Sequence, residues 1–227
     1  MLIYGKQPVY HVIDRHPQKL RTLYLAKEVH KKEYSRLMRL GCEVKRIPAN
    51  AAQSMSKNGN HQGFLAEVDD VEPADLKSVC RGDFVVILSG VTDVGNIGAI
   101  VRSAFALGVD GLIVCGLKQF PLEPVMRSST GALFDLPFTV QHNLYDVINE
   151  LKLAGFDLYG AVMDGTDIRE TPMSPRRALI LGNEAEGIPA RAQERLDCRV
   201  SIVMAHDFDS LNVSVAGAIL MDRMRQT

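Results

Sequence analysis

The C-terminal two thirds of the chain alternates short apolar runs with helical patterns, and this alternation most constrains its fold. Apolar runs typical of buried strands lie near Phe84, Leu112, Pro137, Asp157, Ala178 and Val200. Between and after them, apolar residues recur at helical spacing near Ile97, Pro124, Leu144 and Ser210. Strands that alternate with helices predict an α/β domain built on a parallel sheet. The loops that follow such strands gather at one edge of the sheet, where ligands bind.

The segment Asp209–Leu220 begins the last predicted helix and carries polar residues where a buried helix would have none. The preceding run, Val200–Met204, predicts a buried strand, and residues 205–209 predict a short loop. Ser210 is a suitable N-cap for the helix. Asn212 and Ser214 then lie in the first turn, whose free N–H groups can hold a polar ligand. The alternative is that these side chains only satisfy local backbone groups. The apolar face predicted for this helix consists of Leu211, Val215, Ala218, Ile219 and Met221.

The segment Leu88–Gly108 joins a predicted strand to a helix through a glycine-rich loop. Two of its glycines match those of a phosphate-binding P-loop, but Asn96 and Ile97 replace the required Lys and Ser/Thr, which excludes that site. The glycine spacing also departs from the dinucleotide fingerprint, so an oxidoreductase is a distant alternative. Arg102 is exceptional because the rest of this helix is small and apolar; it either serves a site or extends into solvent.

The segment Arg177–Pro189 predicts a third strand that ends in a polar turn. The turn runs from Gly182 to Gly187 and carries two carboxylates, of which Glu184 could neutralise Arg102 at the shared sheet edge. The alternative is that Glu184 is only a solvated turn residue.

Together these segments resemble the three motifs of the SpoU (TrmH-like) family of RNA ribose 2′-O-methyltransferases, in the SPOUT class. The first motif corresponds to Asn96 and Arg102. The second corresponds to Gly182, Asn183, Glu184 and Gly187. The third corresponds to Ile202, Met204, Ser210, Leu211 and Asn212. The resemblance covers about residues 83–225, and the order of three motifs makes it far more specific than a single glycine loop.

The resemblance implies S-adenosylmethionine as cofactor, a C-terminal trefoil knot and a homodimer. Composition alone would predict an unknotted sheet, because knots are rare. The catalytic residues that it implies are Arg102, Asn96, Glu184, Ser210 and Asn212. The cofactor-binding residues that it implies are Gly182, Asn183, Gly187, Ile202, Met204 and Leu211. A guanidinium has no free lone pair with which to take a proton, so we expect Arg102 to stabilise the developing oxyanion and Glu184 to hold Arg102 or a neighbour in place.

The N-terminal region is basic, since residues 1–66 contain twelve Lys and Arg but four Asp and Glu. It predicts a small α/β unit with strands over 22–25, 43–47 and 64–68 and a helix over 30–40. Its start and the segment HQGFLAEV resemble the substrate-binding domain of family members that act on large-subunit ribosomal RNA. The predicted RNA-binding residues are Lys19, Arg21, Lys31, Lys32, Lys45 and Arg46. The alternative is an ordinary solvated basic surface.

We therefore predict an RNA-binding domain over 1–70, a linker over 71–82 and a methyltransferase domain over 83–227. We expect a fragment that begins near Val71 to fold alone. The scattered cysteines predict reduced thiols, and no spacing predicts a metal site. No apolar run suits a membrane span, so we expect a cytoplasmic protein. The predicted reaction is 2′-O-methylation of a guanosine in 23S ribosomal RNA. A transfer-RNA ribose methyltransferase is the main alternative, and a non-catalytic RNA-binding protein is a distant one.

Overall fold

A computed structural model describes residues 1–206 and 210–225 of the chain. The chain forms two compact units, each made of two segments. The first unit comprises Met1–Glu72 and Pro121–Phe134, and the second comprises Pro73–Phe120 and Asp135–Thr227. The end of the loop predicted over 205–209 lies outside the described residues. None of the helices in the described ranges has both the length and the apolar character needed to cross a membrane.

The chain alternates strands and helices along most of its length. The strands are β1 (Leu2–Tyr4), β2 (Leu20–Leu25), β3 (Glu43–Arg46), β4 (Phe64–Val68), β5 (Phe84–Ser89), β6 (Gly111–Cys115), β7 (Phe138–Gln141), β8 (Asp157–Asp167), β9 (Arg177–Gly182) and β10 (Cys198–Ser201). The α-helices are α1 (Lys6–Arg15), α2 (Lys31–Leu37), α3 (Ala49–Met55), α4 (Leu76–Val79), α5 (Val94–Ala106), α6 (Leu122–Ser128), α7 (Leu144–Leu153), α8 (Ala190–Gln193) and α9 (Val213–Met224).

The first unit is built on a four-stranded mixed sheet with the order β1-β4-β2-β3. β4 pairs antiparallel with β1 and β2, and β2 pairs parallel with β3. The predicted strands and the α2 helix are confirmed, whereas β1, α1 and α3 were not predicted. α1 buries Val9, Val12 and Ile13 at helical spacing, and its other residues are polar enough to obscure that stripe in the sequence.

The second unit is built on a six-stranded sheet with the order β10-β8-β9-β5-β6-β7, and every strand pair in it is parallel. The predicted α/β fold with a parallel sheet is confirmed. α4, α7 and α8 cover one face, where Val147 and Ile148 pack with alternate residues of β5 and β9. α5 and α9 pack against each other, and α9 contacts β9. A central sheet between helical layers therefore buries nearly continuous apolar strands.

Two segments depart from the predicted domain boundaries. The predicted linker, 71–82, contains α4, whose Val79 is 1% exposed and belongs to the core of the second unit. Residues 121–134 belong to the first unit, where α6 contacts β1. There the guanidinium of Arg127 stacks 4.3 Å from the ring centroid of Tyr4. Such long-range packing has no local sequence signature, so a boundary drawn from charge and linker composition does not detect it.

A buried arginine holds the end of α9 in the second unit. Arg177 is 4% exposed, and its Nε donates to the carbonyl of Met224 at 2.6 Å. Its Nη1 donates to the Pro175 carbonyl at 2.9 Å, and the guanidinium stacks 4.6 Å from the Phe84 ring centroid. Burial lowers the pKa of this guanidinium. A cation suits the carbonyl end of a helix, and Arg177 thus ties the start of β9 to the end of α9.

Candidate functional site

The three segments singled out in the sequence meet at the carboxyl edge of the parallel sheet. β5 and β9 are neighbours, and their last residues, Ser89 and Gly182, are paired. The loop that leads to α5 and the turn after β9 therefore start side by side. α9 packs against α5 and brings its first turn to the same edge. The expectation that parallel strands gather these segments is thus confirmed.

Three side chains join the segments through hydrogen bonds. The amide Nδ2 of Asn96, in the first turn of α5, donates to Oε1 of Glu184 at 2.6 Å. Nδ2 of Asn212 donates to Oδ1 of Asn96 at 2.9 Å and to the same Glu184 oxygen at 3.3 Å. We call Asn96, Glu184 and Asn212 the amide–carboxylate network. It fixes both amides and leaves part of the carboxylate exposed.

Caps orient the two helix starts that supply the network. Asp93 caps α5 and accepts from the backbone N–H of Asn96 at 2.7 Å. Asn212 is the N-cap of α9, where its Oδ1 accepts from the backbone N–H of Ser214 at 2.9 Å. The prediction that Ser210 is the cap is therefore wrong. Ser210 lies two residues before the cap and is exposed. Asn and Ser are comparable caps, so the sequence alone does not choose between them.

Glu184 was expected to hold either Arg102 or a neighbouring residue, and the structure shows it with neighbours, Asn96 and Asn212. Within residues 1–206 and 210–225, Arg102 forms no ion pair, and Glu184 instead accepts from Asn96 and Asn212. Arg102 lies six residues after Asn96 on α5, which is about 9 Å along the helix axis. Its side chain is exposed. A guanidinium that has no fixed partner among these described residues can be offered to a substrate.

A cleft of about 690 Å³ lies beside the network in the second unit. All six predicted cofactor-binding residues line it, namely Gly182, Asn183, Gly187, Ile202, Met204 and Leu211. Glu184 and Ser210 line it as well. The strand predicted over Val200–Met204 in fact ends at Ser201, and the chain that leaves the sheet there presents Ile202 and Met204 to the cleft.

The turn after β9 is shaped by its own side chains and by two glycines. Oδ1 of Asn183 accepts from the backbone N–H groups of Ala185 and Glu186, at 3.0 and 2.6 Å. Gly187 has a φ of 67°, which favours glycine. A Cβ on Gly182 would lie 2.2 Å from the carbonyl carbon of Gly187. At Gly182 the wall of the cleft is therefore bare backbone, because a side chain at this position would collide with Gly187.

The cleft is also lined by residues that the sequence analysis did not single out, and these include two acidic residues and a glycine. Asp164 and Gly165 come from β8, and Glu186 comes from the turn after β9. A Cβ on Gly165 would lie 2.6 Å from the carbonyl carbon of Val200, so β8 and β10 pack there without side chains between them. The strand predicted near Asp157 was the available signal, since its carboxyl end belongs to the same sheet edge.

The predicted RNA-binding residues fall into different environments in the first unit. Arg21 makes two hydrogen bonds to Asp69, at 2.6 and 2.7 Å, and this pairing lowers the pKa of the Asp69 carboxyl. Lys45 forms a 2.8 Å ion pair with Glu43. The Arg46 guanidinium stacks 4.6 Å from the Tyr34 ring centroid. The remaining three are Lys31 and Lys32, which begin α2, and Lys19, which immediately precedes β2.

Comparison with known proteins connects this geometry to one family. A family model described as the SpoU rRNA Methylase family matches residues 83–222. A second, described as RNA 2′-O ribose methyltransferase substrate binding, matches residues 2–74. The chain is 31% identical to the 23S rRNA (guanosine-2′-O-)-methyltransferase RlmB of Vibrio cholerae over 99% of this chain and 96% of that protein.

Other relatives agree with this assignment. The 23S rRNA (guanosine(2553)-2′-O)-methyltransferase RlmP of Bacillus subtilis is 32% identical over 73% of this chain and 71% of its own length. Among solved structures, the SpoU methyltransferase AviRb from Streptomyces viridochromogenes, in complex with AdoMet, aligns with a TM-score of 0.80 at 29% identity. That alignment covers 99% of this chain and 88% of AviRb.

Proposed function

The chain belongs to the SpoU rRNA Methylase family, and from this premise we propose that it transfers a methyl group from S-adenosylmethionine to the 2′-hydroxyl of a guanosine in 23S ribosomal RNA. The observation that carries the proposal is the amide–carboxylate network beside the cleft. It joins all three motif segments at one sheet edge, with hydrogen bonds of 2.6 to 3.3 Å. The relative with near-complete coverage, from Vibrio cholerae, supports 23S ribosomal RNA over transfer RNA.

The cleft fits S-adenosylmethionine. Its volume of about 690 Å³ lies within the range of small-molecule sites. Apolar residues such as Leu181, Ile188 and Leu220 can cover an adenine ring, and the backbone around Gly182 can bond to its edge. The carboxylate of Glu186 in the lining suits a ligand that carries positive charge, whereas that of Asp164 is already paired with Arg199. When bound, the cofactor supplies an electrophilic methyl group on a sulfonium sulfur.

Arg102 serves the ribose side of the reaction. A ribose 2′-hydroxyl is a poor nucleophile. As its oxygen takes the methyl group, the carbon–sulfur bond of the cofactor would break to leave a neutral thioether, and the hydroxyl proton would pass to solvent water. Arg102 is exposed and free of ion pairs within the described residues, so its guanidinium can bind the ribose oxygen and a neighbouring phosphate. Because a guanidinium offers hydrogen-bond donors and no acceptor, it acts by stabilising negative charge on the oxygen.

The network orients the polar groups around the reacting atoms. Glu184 holds both amides through one oxygen, which leaves its second oxygen available to the substrate. Ser210 lines the same cleft two residues before Asn212 and can bind substrate or cofactor through its hydroxyl. These roles require the three segments to keep their relative positions.

Two architectural features of the family belong to the proposal. The first is a trefoil knot formed by the segments after β9 and β10; the close backbone packing at Gly165 and Gly182 is compatible with a tightly threaded path. The second is a homodimer. Val215 and Ile219, predicted to face the core, are 47% and 36% exposed, while α9 buries other apolar residues. Such an apolar pair on a helix surface suits a second copy of the chain.

The substrate requirements follow from the same proposal. The basic first unit supplies general affinity for RNA phosphates, and the second unit supplies the chemistry. Ribosomal RNA as substrate places the protein in the cytoplasm.

One experiment tests the reaction directly. The protein is incubated with methyl-labelled S-adenosylmethionine and unmodified 23S ribosomal RNA, with transfer RNA in a parallel reaction. We expect label at a single guanosine of the ribosomal RNA, and no label when that nucleotide carries a 2′-deoxyribose. If only the transfer RNA became labelled, the proposal that ribosomal RNA is the substrate would be wrong. Tight binding of NAD in place of S-adenosylmethionine would support the oxidoreductase alternative.

A further inference from the structure

The cations of the first unit divide into those that the protein already neutralises and those that it does not. Arg21 and Lys45 are paired with Asp69 and Glu43, as described above. By contrast, Lys31, Lys32 and Arg39 form no ion pair in the described part of the chain. All three are exposed. A paired cation must give up its carboxylate before it can bind a phosphate, and that carboxylate then repels the phosphate.

Lys31, Lys32 and Arg39 lie together on one surface of the first unit. A surface cleft of about 510 Å³ runs along α2 and the turn that follows it. Its lining consists of His30, Lys31, Lys32, Ser35, Arg36 and Arg39. Arg36 is tied to Asp14 and Glu33, which fixes the helix surface but leaves the other three cations free. None of the described residues that line this cleft carries a carboxylate.

A fourth cation contacts α2, the helix along which this cleft runs. Arg46 ends β3, which pairs with β2 so that Arg46 is opposite Leu25, and its guanidinium stacks on Tyr34 of α2. Lys19 and Arg21 are at the other end of β2, roughly 15 to 20 Å away at about 3.3 Å per residue. The six predicted RNA-binding residues therefore do not form one continuous face.

We propose that RNA phosphates bind this α2 surface, defined by Lys31, Lys32, Arg39 and Arg46, and that Arg21 and Lys45 are not phosphate contacts. This inference rests on the proposed function, since it names the surface that holds the RNA substrate. RNA is favoured over an acidic protein because the Arg46–Tyr34 stack adds a planar group on which an unpaired base can stack. Met38, the C-cap of α2 and 53% exposed, adds an apolar side chain one turn after Tyr34.

The test compares two double variants of the full-length protein that remove the same charge. Lys31→Gln with Lys32→Gln removes two cations of the α2 surface. Lys57→Gln with Lys77→Gln removes two exposed lysines elsewhere, which form no ion pair among the described residues. Affinity for unmodified 23S ribosomal RNA is measured as a function of salt. Each lost phosphate contact should lower the slope of log K against log salt by about 0.7 to 0.9.

We expect the α2 double variant to lower the slope by about 1.4 to 1.8, and the control variant to change it little. Between about 50 and 200 mM salt, the wild type should then lose roughly tenfold more affinity than the α2 variant. Equal slopes for the two variants would overturn the proposal. Displacement of the RNA by poly-glutamate at equal charge concentration would overturn RNA as the specific partner.

Methyl transfer separates this inference from the proposed function. At saturating RNA, the α2 variant should methylate at the wild-type kcat with an increased KM, because the cleft in the second unit is unchanged. If the wild type binds RNA with the expected salt slope but transfers no methyl group, the reaction is wrong and the α2 surface stands. If the α2 variant methylates with unchanged KM, the surface is wrong and the reaction stands.

Discussion

The side-chain amide of Asn96 donates a 2.6 Å hydrogen bond to Oε1 of Glu184, although 88 positions separate the two residues. The same oxygen accepts from Asn212, which is 28 positions further along the chain. One carboxylate therefore connects the loop after β5, the turn after β9 and the start of α9. A substitution at any one of these three residues should therefore change the position of the other two side chains.

Glu184→Ala should lower kcat for RNA methylation by about tenfold to a hundredfold, because two amides lose a charged acceptor. Glu184→Gln is the matched control, since it keeps an oxygen acceptor of the same shape. We expect it to retain more activity than the alanine variant. Single-turnover methylation measures both. Equal losses for the two variants would indicate that the charge, rather than the positioning of the amides, is required.

Arg102→Ala should reduce methyl transfer by about a hundredfold to a thousandfold, as does the loss of one oxyanion donor in other enzymes. Affinity for S-adenosylmethionine should stay within about twofold of wild type, because Arg102 does not line the cleft. Calorimetry and single-turnover kinetics separate these effects. A folded variant with normal turnover would exclude Arg102 from the reaction.

Gly182→Val should abolish cofactor binding, because even a Cβ at this position would lie 2.2 Å from the Gly187 carbonyl carbon. Gly108→Ala provides a control in the same unit. Gly108 has a φ of 77° but no atom within 4 Å of the added Cβ, so that variant tests backbone strain without a clash. Calorimetric titration of both proteins, after circular dichroism has verified folding, gives the answer. Unchanged affinity in a folded Gly182→Val protein would refute the backbone wall.

Arg177→Met should destabilise the second unit by about 2 to 4 kcal/mol, since the carbonyls of Met224 and Pro175 would lose a buried donor. Arg225→Gln removes an exposed ion pair with Asp222 and should cost less than about 1 kcal/mol. Urea unfolding of the two variants measures the difference. Similar midpoints would show that Arg177 does not anchor the end of α9.

Removal of residues 1–72 should yield an aggregating fragment, contrary to the expectation that a fragment from Val71 folds alone. Val125, Met126 and Leu133 are buried in the first unit and would lose their cover. Replacing residues 121–134 by a glycine-serine linker in the same fragment should restore a soluble protein. Light scattering and cofactor titration compare the two fragments. A well-behaved 73–227 fragment would show that residues 121–134 can repack without the first unit.

The position of the candidate site could be predicted because it follows from strand direction. Once residues 84–89 and 177–182 are read as parallel strands, their following loops must share an edge. The cofactor-binding residues could be chosen from the resemblance to the family's motifs, and all six line one cleft. What spacing could not supply was the partner of Glu184, since a carboxylate can accept equally from an amide or a guanidinium.

The orientation of α9 could not be predicted for a related reason. Apolar residues occupy most of its sides, so several stripes are compatible with the sequence. The close approach of Gly217 to Leu181 selects one of them, and this turns Val215 and Ile219 outward. The caps and the unit boundaries likewise depend on contacts between residues distant in sequence.

The chain passes from one unit to the other three times, at Glu72–Pro73, at Phe120–Pro121 and at Phe134–Asp135. A single proteolytic cut at any one of these crossings therefore leaves at least one segment of the first unit covalently joined to the second. Exchange of the first unit between two relatives by one recombination event would pair residues 1–72 of one parent with residues 121–134 of the other. Only chimaeras that transfer both segments together preserve the native packing of α6 on β1, so residues 1–72 and 121–134 are expected to be inherited from the same parent.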